Sequence, residues 1–393
     1  MSVFSYRACP ARETLARVTP FLSRLGITRV SNQTGLDRIG IPVWCAFAPN
    51  AKAIVIAQGK GVTDDDARIS AVMEAVERSV ATMPTVQPLR SSLRDFQGSG
   101  SRSDSLNEFL GLHSKPLPED GVLDWVEGRH LVSGQAVWLP YEAVHLDRSD
   151  DDRHYWQSSD GLASGNTAEE ATFHGLMERI ERDALVLWET SHAAQRWSRR
   201  IDPASIEAAD VQSMLKMIDA AALDIALFDM TSDLGFAAMA AILAPRHRPR
   251  HPPLRHVEVT LGCGAGLQPE LAASRAISEA VQSRMTFIAG ARDDLLPALF
   301  EDAADTDILE ALDVPVRIAL ASLPSWNAAG AADALKFTIQ RLSDRGIDRL
   351  YAVDLAPDWL PASVVKVVVP QLESPDGDRR QRLGLRALSK ALL

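Results

Sequence analysis

The 393-residue chain has little cysteine: Cys9, Cys45 and Cys263 are odd in number, far apart and form no CxxC pair. This argues against a disulfide framework or a zinc site and leads us to expect a reducing, cytoplasmic compartment. Basic residues are not in excess. With 41 Lys+Arg against 52 Asp+Glu and a formal charge of -11, no general affinity for nucleic acid or anionic membrane is expected, because both need a net-positive face. Long apolar runs are missing. The longest, Phe236 to Ala244, is about half of the ~20 residues a membrane-spanning helix requires and reads as a buried strand. The opening MSVFSYRACPARET carries Arg7, Arg12 and Glu13 where a secretory leader would be apolar, so none is expected. There is no GxxxxGK[ST] phosphate loop, no His/Cys cluster, and no recognisable Ser–His–Asp spacing.

What is present is a globular composition, 46% hydrophobic and 24% charged, long enough for two or three units or one interwoven one. A helix is predicted from Thr14 to Leu25, interrupted at Pro20 and stopped by Gly26. Strands are predicted at Ile41 to Phe47 and Ala53 to Ala57. Gly59-Lys60-Gly61 then leads into a helix from Thr63 to Ala81, with Thr63 as N-cap and three aspartates in its first turn. Arg90 to Ser105 reads as a mobile loop. Two further glycine-rich stretches, Ser158 to Asn166 and Leu261 to Glu270, read as turns before helices over 167–189 and 271–289. The Pro-rich, basic stretch Pro245 to His256 reads as a surface loop that could receive a peptide or partner. Gly262, Gly264 and Gly266 are better explained by close backbone packing than by a dinucleotide loop, since no acidic residue ends a following strand at suitable spacing.

The three helices echo one another: SAVMEAVER from Ser70, HGLMERIER from His174 and RAISEAVQS from Arg275. In each, a polar residue is followed four positions later by Glu and three after that by Glu or Gln. At about 100° per residue, Ser70, Glu74 and Glu77 fall within about 60° on the helix wheel, as do Arg275, Glu279 and Gln282. Like charges so placed repel unless something positive lies against them. Two explanations compete: a solvated face paired with Arg78, Arg179 and Arg182, or carboxylates converging on divalent cations, for which Mg²⁺ favours hard oxygen ligands. Three copies of one pattern favour the second. Lys60, between two glycines, could contact phosphate or be a solvated turn lysine, and Asp37 reads as a turn former.

On TGLDRIGIPV (34–43), GKG with SAVMEAVER, SDGLASGNTAEEATFHGLMERIERD (159–183) and GCGAGLQPELAASRAISEAVQSR (262–284), the chain resembles the YcaO family of ATP-dependent peptide-backbone-modifying enzymes. The resemblance runs over about 7–373 and, through ITRVSNQTGLDRIGIPVW, is to the stand-alone, TfuA-associated type. It implies an α+β fold of interwoven α/β subdomains around a non-P-loop ATP site, with residues 1–60 completing the nucleotide site and 61–393 forming the YcaO domain as one unit with them. Position by position, it implies that Ser70, Glu74, Glu77 and Arg78 form a first ATP/Mg²⁺ motif and Asn166, Glu170, Glu178, Glu181 and Arg182 a second. Gln282 and Arg284 match a third motif, and Arg7 and Thr14 sit where the family has nucleotide contacts. Glu74, Glu77, Glu170, Glu178 and Glu181 are the implied Mg²⁺ ligands.

The implied activity is O-phosphorylation of a peptide amide, which turns a poor leaving group into phosphate. The product depends on the nucleophile: sulfide gives a thioamide, a Cys, Ser or Thr side chain an azoline. Azoline-forming members commonly end in a proline-rich tail; no proline follows Pro375 here, which with the TfuA-type N-terminal region favours the thioamide. An ATP-binding scaffold without turnover is the alternative from another class. A peptide or protein substrate, a TfuA-like partner and a homodimer are the implied associations.

Overall fold

The computed structural model describes residues 6–149, 153–249, 251–290, 292 and 294–392; Arg250, within the basic stretch, lies outside them. Helix α1 (Ala11–Val18) is shorter than expected because Pro20 enters a 3₁₀ turn at Thr19–Phe21, and the segment ends at Gly26 with φ +72°. Strands β1 (Arg29–Asn32), β2 (Val43–Phe47) and β3 (Ile56–Lys60) make a small antiparallel sheet in that order. Helix α2 (Asp64–Thr82) follows, with the Thr63 hydroxyl accepting the Asp66 N–H as its cap.

The stretch expected to be a mobile loop is instead ordered as β4 (Leu89–Ser91) and α3 (Leu93–Ser99). Ser92 and Asp95 cap one another reciprocally, and buried Phe96 meets the edge of Trp125, contacts that periodicity cannot reveal in so short a segment. The remaining elements are β5 (Leu123–His130), β6 (Ala136–Pro140), β7 (Leu162–Gly165), α4 (Ala168–Glu189), α5 (Ala193–Trp197), α6 (Ala209–Ala220), β8 (Leu223–Asp229), β9 (Ala237–Pro245), β10 (Thr260–Gly266), α7 (Pro269–Ala289), α8 (Thr306–Ala311), α9 (Ala331–Asp344), β11 (Tyr351–Asp354), β12 (Ser363–Val368) and α10 (Leu385–Ala391). The expected buried strand over Phe236 to Ala244 is thus β9, whose residues Ala237 to Ala244 are all buried.

A second antiparallel sheet has the order β10-β9-β8, and a third runs β4-β5-β11-β12-β7 with β6 beside β5. Because β11 and β12 return from late in the chain to lie between β5 and β7, the sheet closes only when distant segments meet. The fold is therefore mixed helix and sheet, and interwoven. Helix α2 packs with the first and third sheets, α7 covers the second, and α4 shares its apolar core with β9, β10, β12 and α9.

All three glycine-rich stretches expected to be turns contain strands: Gly59 and Lys60 lie in β3, Gly165 in β7, and Gly262, Gly264 and Gly266 in β10. Their glycines bring each strand against the backbone of the helix that follows. A Cβ on Gly59 would lie 2.0 Å from the Ala71 nitrogen, one on Gly165 2.6 Å from the Ala171 nitrogen, and one on Gly262 2.1 Å from the Ala280 nitrogen. The close-packing explanation for the 262–266 glycines is the one observed. Gly262→Ala is expected to lower stability by about 1–3 kcal/mol, the usual cost of forcing an extra methyl into a packed interior, as read from denaturant midpoints.

Candidate functional site

The three strand–helix units place their polar faces toward one another. On α2, Glu77 Oε1 accepts a hydrogen bond from the Ser164 hydroxyl of β7 at 2.6 Å, tying the first unit to the second. Glu74 pairs with Arg78 at 2.5 Å, and Arg78 also donates to the Ile56 carbonyl at 2.6 Å. On α4, Glu178 accepts from the Gly161 N–H at 3.2 Å, while Glu181 accepts from the Ala265 N–H at 3.1 Å, tying the second unit to the third. Arg182 lies 3.9 Å from Glu178 and 3.8 Å from Glu181. On α7, Glu279 takes the Lys60 ammonium of β3 at 2.5 Å, closing the ring from the third unit back to the first.

The segment preceding α1 completes one side. Arg7 Nη1 donates to Glu170 Oε1 at 2.8 Å and the Ala8 N–H to Oε2 at 3.0 Å, with the Asn166 amide on the same carboxylate at 3.2 Å. Asn166 in turn accepts from the Thr14 hydroxyl at 2.9 Å. Arg7, Thr14, Asn166 and Glu170 thus form one connected group drawn from residues more than 150 apart in sequence.

Burial pushes the Glu77 carboxyl up to about 8, with Glu74 and Glu178 adding repulsion that the Ser164 hydroxyl and Arg7 do not cancel. Glu178 is pushed up to about 7, first by burial and then by Asp160 and Glu181, against Arg182 and Lys366. Glu181 is raised by burial, with Arg182 opposing and Glu279 adding to the rise. Glu170 and Glu279 go the other way. Burial raises both, but Arg7 for Glu170, and Lys60 and Arg182 for Glu279, outweigh it and hold them below the ordinary range.

The site therefore holds carboxylates that lack sufficient positive charge, which fits a cation of hard-oxygen preference. Among the described residues, no three His, Cys, Asp or Glu side chains come close enough to hold a metal by themselves. Mg²⁺ commonly takes one or two carboxylates and completes its shell with phosphate oxygens and water. Glu77, Glu178 and Glu181, with the least compensated charge, are the ones best placed to serve it, beside Glu74; Glu170 is already neutralised by Arg7.

Not every anticipated residue joins this group. Arg284 pairs with Asp37 at 2.7 Å; Asp37 also accepts the Arg38 N–H, so it shapes its turn and anchors α7 at once. Ser70 and Gln282 lie on the matching faces of α2 and α7 and are half-buried. Lys60 meets Glu279 rather than solvent.

Four basic groups escaped the sequence reading as site residues. Arg275 donates to the Ala265 carbonyl at 3.0 Å, and the buried Nε2 of His174 has no hydrogen-bond partner among the described residues. Burial, then Arg7 and Arg275, hold His174 neutral, well below the usual imidazole range. These two occupy the positions equivalent to Ser70 in the three-helix echo, and that alignment was the signal for them. Lys366 of β12 donates to the Ser158 and Asp160 carbonyls, and burial lowers it to about 8; Arg148, on the surface, adds a further positive charge that interacts with Arg78 and Asp160. No local pattern marks either. The three cysteines are buried, and burial raises Cys45 to about 11. Among the described residues no helix is long and apolar enough to cross a membrane.

Comparison with known proteins gives a match over residues 58–373 to the family described as YcaO cyclodehydratase, ATP- and Mg²⁺-binding. An uncharacterised protein of the tfuA 3′ region of Rhizobium leguminosarum bv. trifolii is 35% identical over 401 residues, covering 99% of this chain and 94% of that protein. Among solved structures, the YcaO of Methanopyrus kandleri bound with AMPPCP and Mg²⁺ superposes with a TM-score of 0.72 at 21% identity, over 93% of this chain and 92% of that one. A heterocyclase in complex with substrate and cofactor gives 0.75 at 20% identity over 94% of this chain, which spans about half (53%) of its length.

Proposed function

The chain belongs to the YcaO family, and on that premise we propose that it activates a backbone amide of a peptide by ATP-dependent O-phosphorylation and delivers a thioamide. The observation that carries the activation chemistry is the ring of half-buried and buried carboxylates, Glu77, Glu178 and Glu181 among them under-compensated, closed by Lys60, Arg78 and Arg182 across three strand–helix units. Such a set suits the triphosphate of ATP with its metal. Glu74, Glu77, Glu178 and Glu181 would hold Mg²⁺, whose contribution when bound is to neutralise phosphate charge. Arg78, Arg182 and Lys60 bring positive charge to phosphoryl oxygens, and Thr14 and Asn166 orient the remainder of the nucleotide.

The chemistry balances. Hydrosulfide adds to the amide carbon, the oxygen so freed takes the γ-phosphoryl group of ATP with ADP departing, and the C–O bond then breaks as phosphate leaves; the sulfur proton is lost to solvent. What remains is C=S in place of C=O. Phosphoryl transfer of this kind rests on positioning and charge stabilisation.

The choice of sulfide over a substrate side chain rests on the Rhizobium relative, whose gene lies in a tfuA region. Arg386 holds α10 to Asp183 of α4 at 2.8 and 2.9 Å. A TfuA-like protein is the proposed partner. With that partner, a peptide, Mg·ATP and sulfide, mass spectrometry is expected to show exchange of oxygen for sulfur. Loss of water without sulfur uptake would replace the thioamide with an azoline, and ATP binding without any peptide-dependent hydrolysis would leave a scaffold.

A further inference from the structure

Away from the carboxylate ring, a cavity of about 540 Å³ opens between the C-terminal end of α7, the loop after β9 and the turn that carries Arg38. Its walls are apolar where Val257, Phe287 and Phe300 meet, and Ile288, at 42% exposure, stands at its edge with no core around it. The charge of this region is inverted relative to the chain. Among the described residues, three arginines and His247 line the cavity against one acid, Glu258, in a protein whose formal charge is -11. Two of the arginines are already engaged, Arg284 by Asp37 and Arg255 by Glu258. Arg38 and His247 are exposed and remain available for a ligand.

We propose that this cavity is a docking site for an acidic, apolar-anchored segment of the peptide substrate, remote from the residue that is modified. The proposal rests on the reading of the chain as a peptide-modifying enzyme. An apolar recess rimmed by cations selects a bulky side chain flanked by carboxylates, since the recess supplies affinity and the rim supplies orientation and repels basic sequences. A nucleic acid is the poorer fit, because two available basic side chains on an acidic protein cannot compensate a phosphate backbone. The recess also abuts the nucleotide site through α7 itself: Arg284 at the cavity lies five residues after Glu279 in the carboxylate ring.

The test is fluorescence anisotropy of the full chain with two dye-labelled peptides of equal apolar content, one with glutamates flanking leucine and phenylalanine, the other with lysines at those positions. The acidic peptide is expected to bind at least about ten-fold more tightly, weakening with salt. Arg38→Glu and Ile288→Glu, both at exposed positions, are each expected to lower that affinity about ten-fold. The thermal shift produced by Mg·ATP should persist in both variants, which separates this proposal from the nucleotide reading: loss of that shift in the unmodified chain would reject the latter alone. Equal binding of the two peptides, or undiminished binding by both variants, overturns the docking site. In the unmodified chain, hydrogen-exchange protection by the acidic peptide is expected over 254–258 and 284–288, and protection confined elsewhere overturns it as well. Self-association abolished by Ile288→Glu, with no peptide bound, would assign the surface to a second copy of the chain instead.

Discussion

Glu77→Gln and Glu181→Gln are each expected to reduce nucleotide-dependent phosphate release by at least about a hundred-fold while leaving the fold intact. The amide keeps the shape of the carboxyl and its local bonds: at 77 it remains in reach of the Ser164 hydroxyl, and at 181 it still accepts the Ala265 N–H. What disappears is the negative charge that would face the metal. Losing one preorganised electrostatic contact at a phosphoryl or oxyanion site typically costs about 10²–10³ in rate. The unliganded protein should not suffer, because burial already penalises the ionised form of both residues. Phosphate release assayed beside circular dichroism and thermal melts checks both halves. Unchanged release in both variants would remove these glutamates from the site.

Without ligands, stability is expected to fall as pH rises from about 6.5 to about 8, and Glu77→Gln should remove much of that fall. The sign follows from linkage. Glu77 titrates near 8 and Glu178 near 7 in the folded protein, against 4.5 when unfolded, so above pH 4.5 the folded state holds more protons and loses stability as pH climbs through those values. His174 acts oppositely. Its folded value lies well below the unfolded 6.5, so it lowers stability only as pH falls beneath 6.5, which leaves the window above that to the carboxyls. Lys366, lowered to about 8 from 10.5, raises stability only above about pH 8. Thermal melts from pH 6.5 to 8 check this, and Mg·ATP should flatten the slope by binding the ionised carboxylates. A flat profile for the unliganded protein would mean that the glutamates are already compensated.

The helices were legible because their signals are local. Three aspartates after Thr63 announce the start of α2, Pro20 announces the end of α1, and the Glu spacing on α2 and α4 follows from helical geometry alone. The glycine-rich stretches were misread as turns for a physical reason. Glycine frees the backbone to turn, but it also removes the Cβ that keeps a strand away from a helix, and only the neighbour decides which property is used. Gly59 and Gly262 lie against Ala71 and Ala280, which no local pattern announces. The Arg90 to Ser105 stretch was misread similarly, since the contact between Phe96 and Trp125 spans two elements.

By itself, the sequence determined the residue types of the site and their helical faces, because a repeat of 3.6 residues is a property of one segment. Tertiary structure alone decided which charges meet. Glu170 is satisfied by Arg7 from 163 residues away and Glu279 by Lys60 from 219, whereas Glu77 and Glu178 are left to repel within a half-buried cluster. Charge compensation depends on distance in space and on exclusion of water, and the chain acquires both only when β3, β7 and β10 bring their helices together.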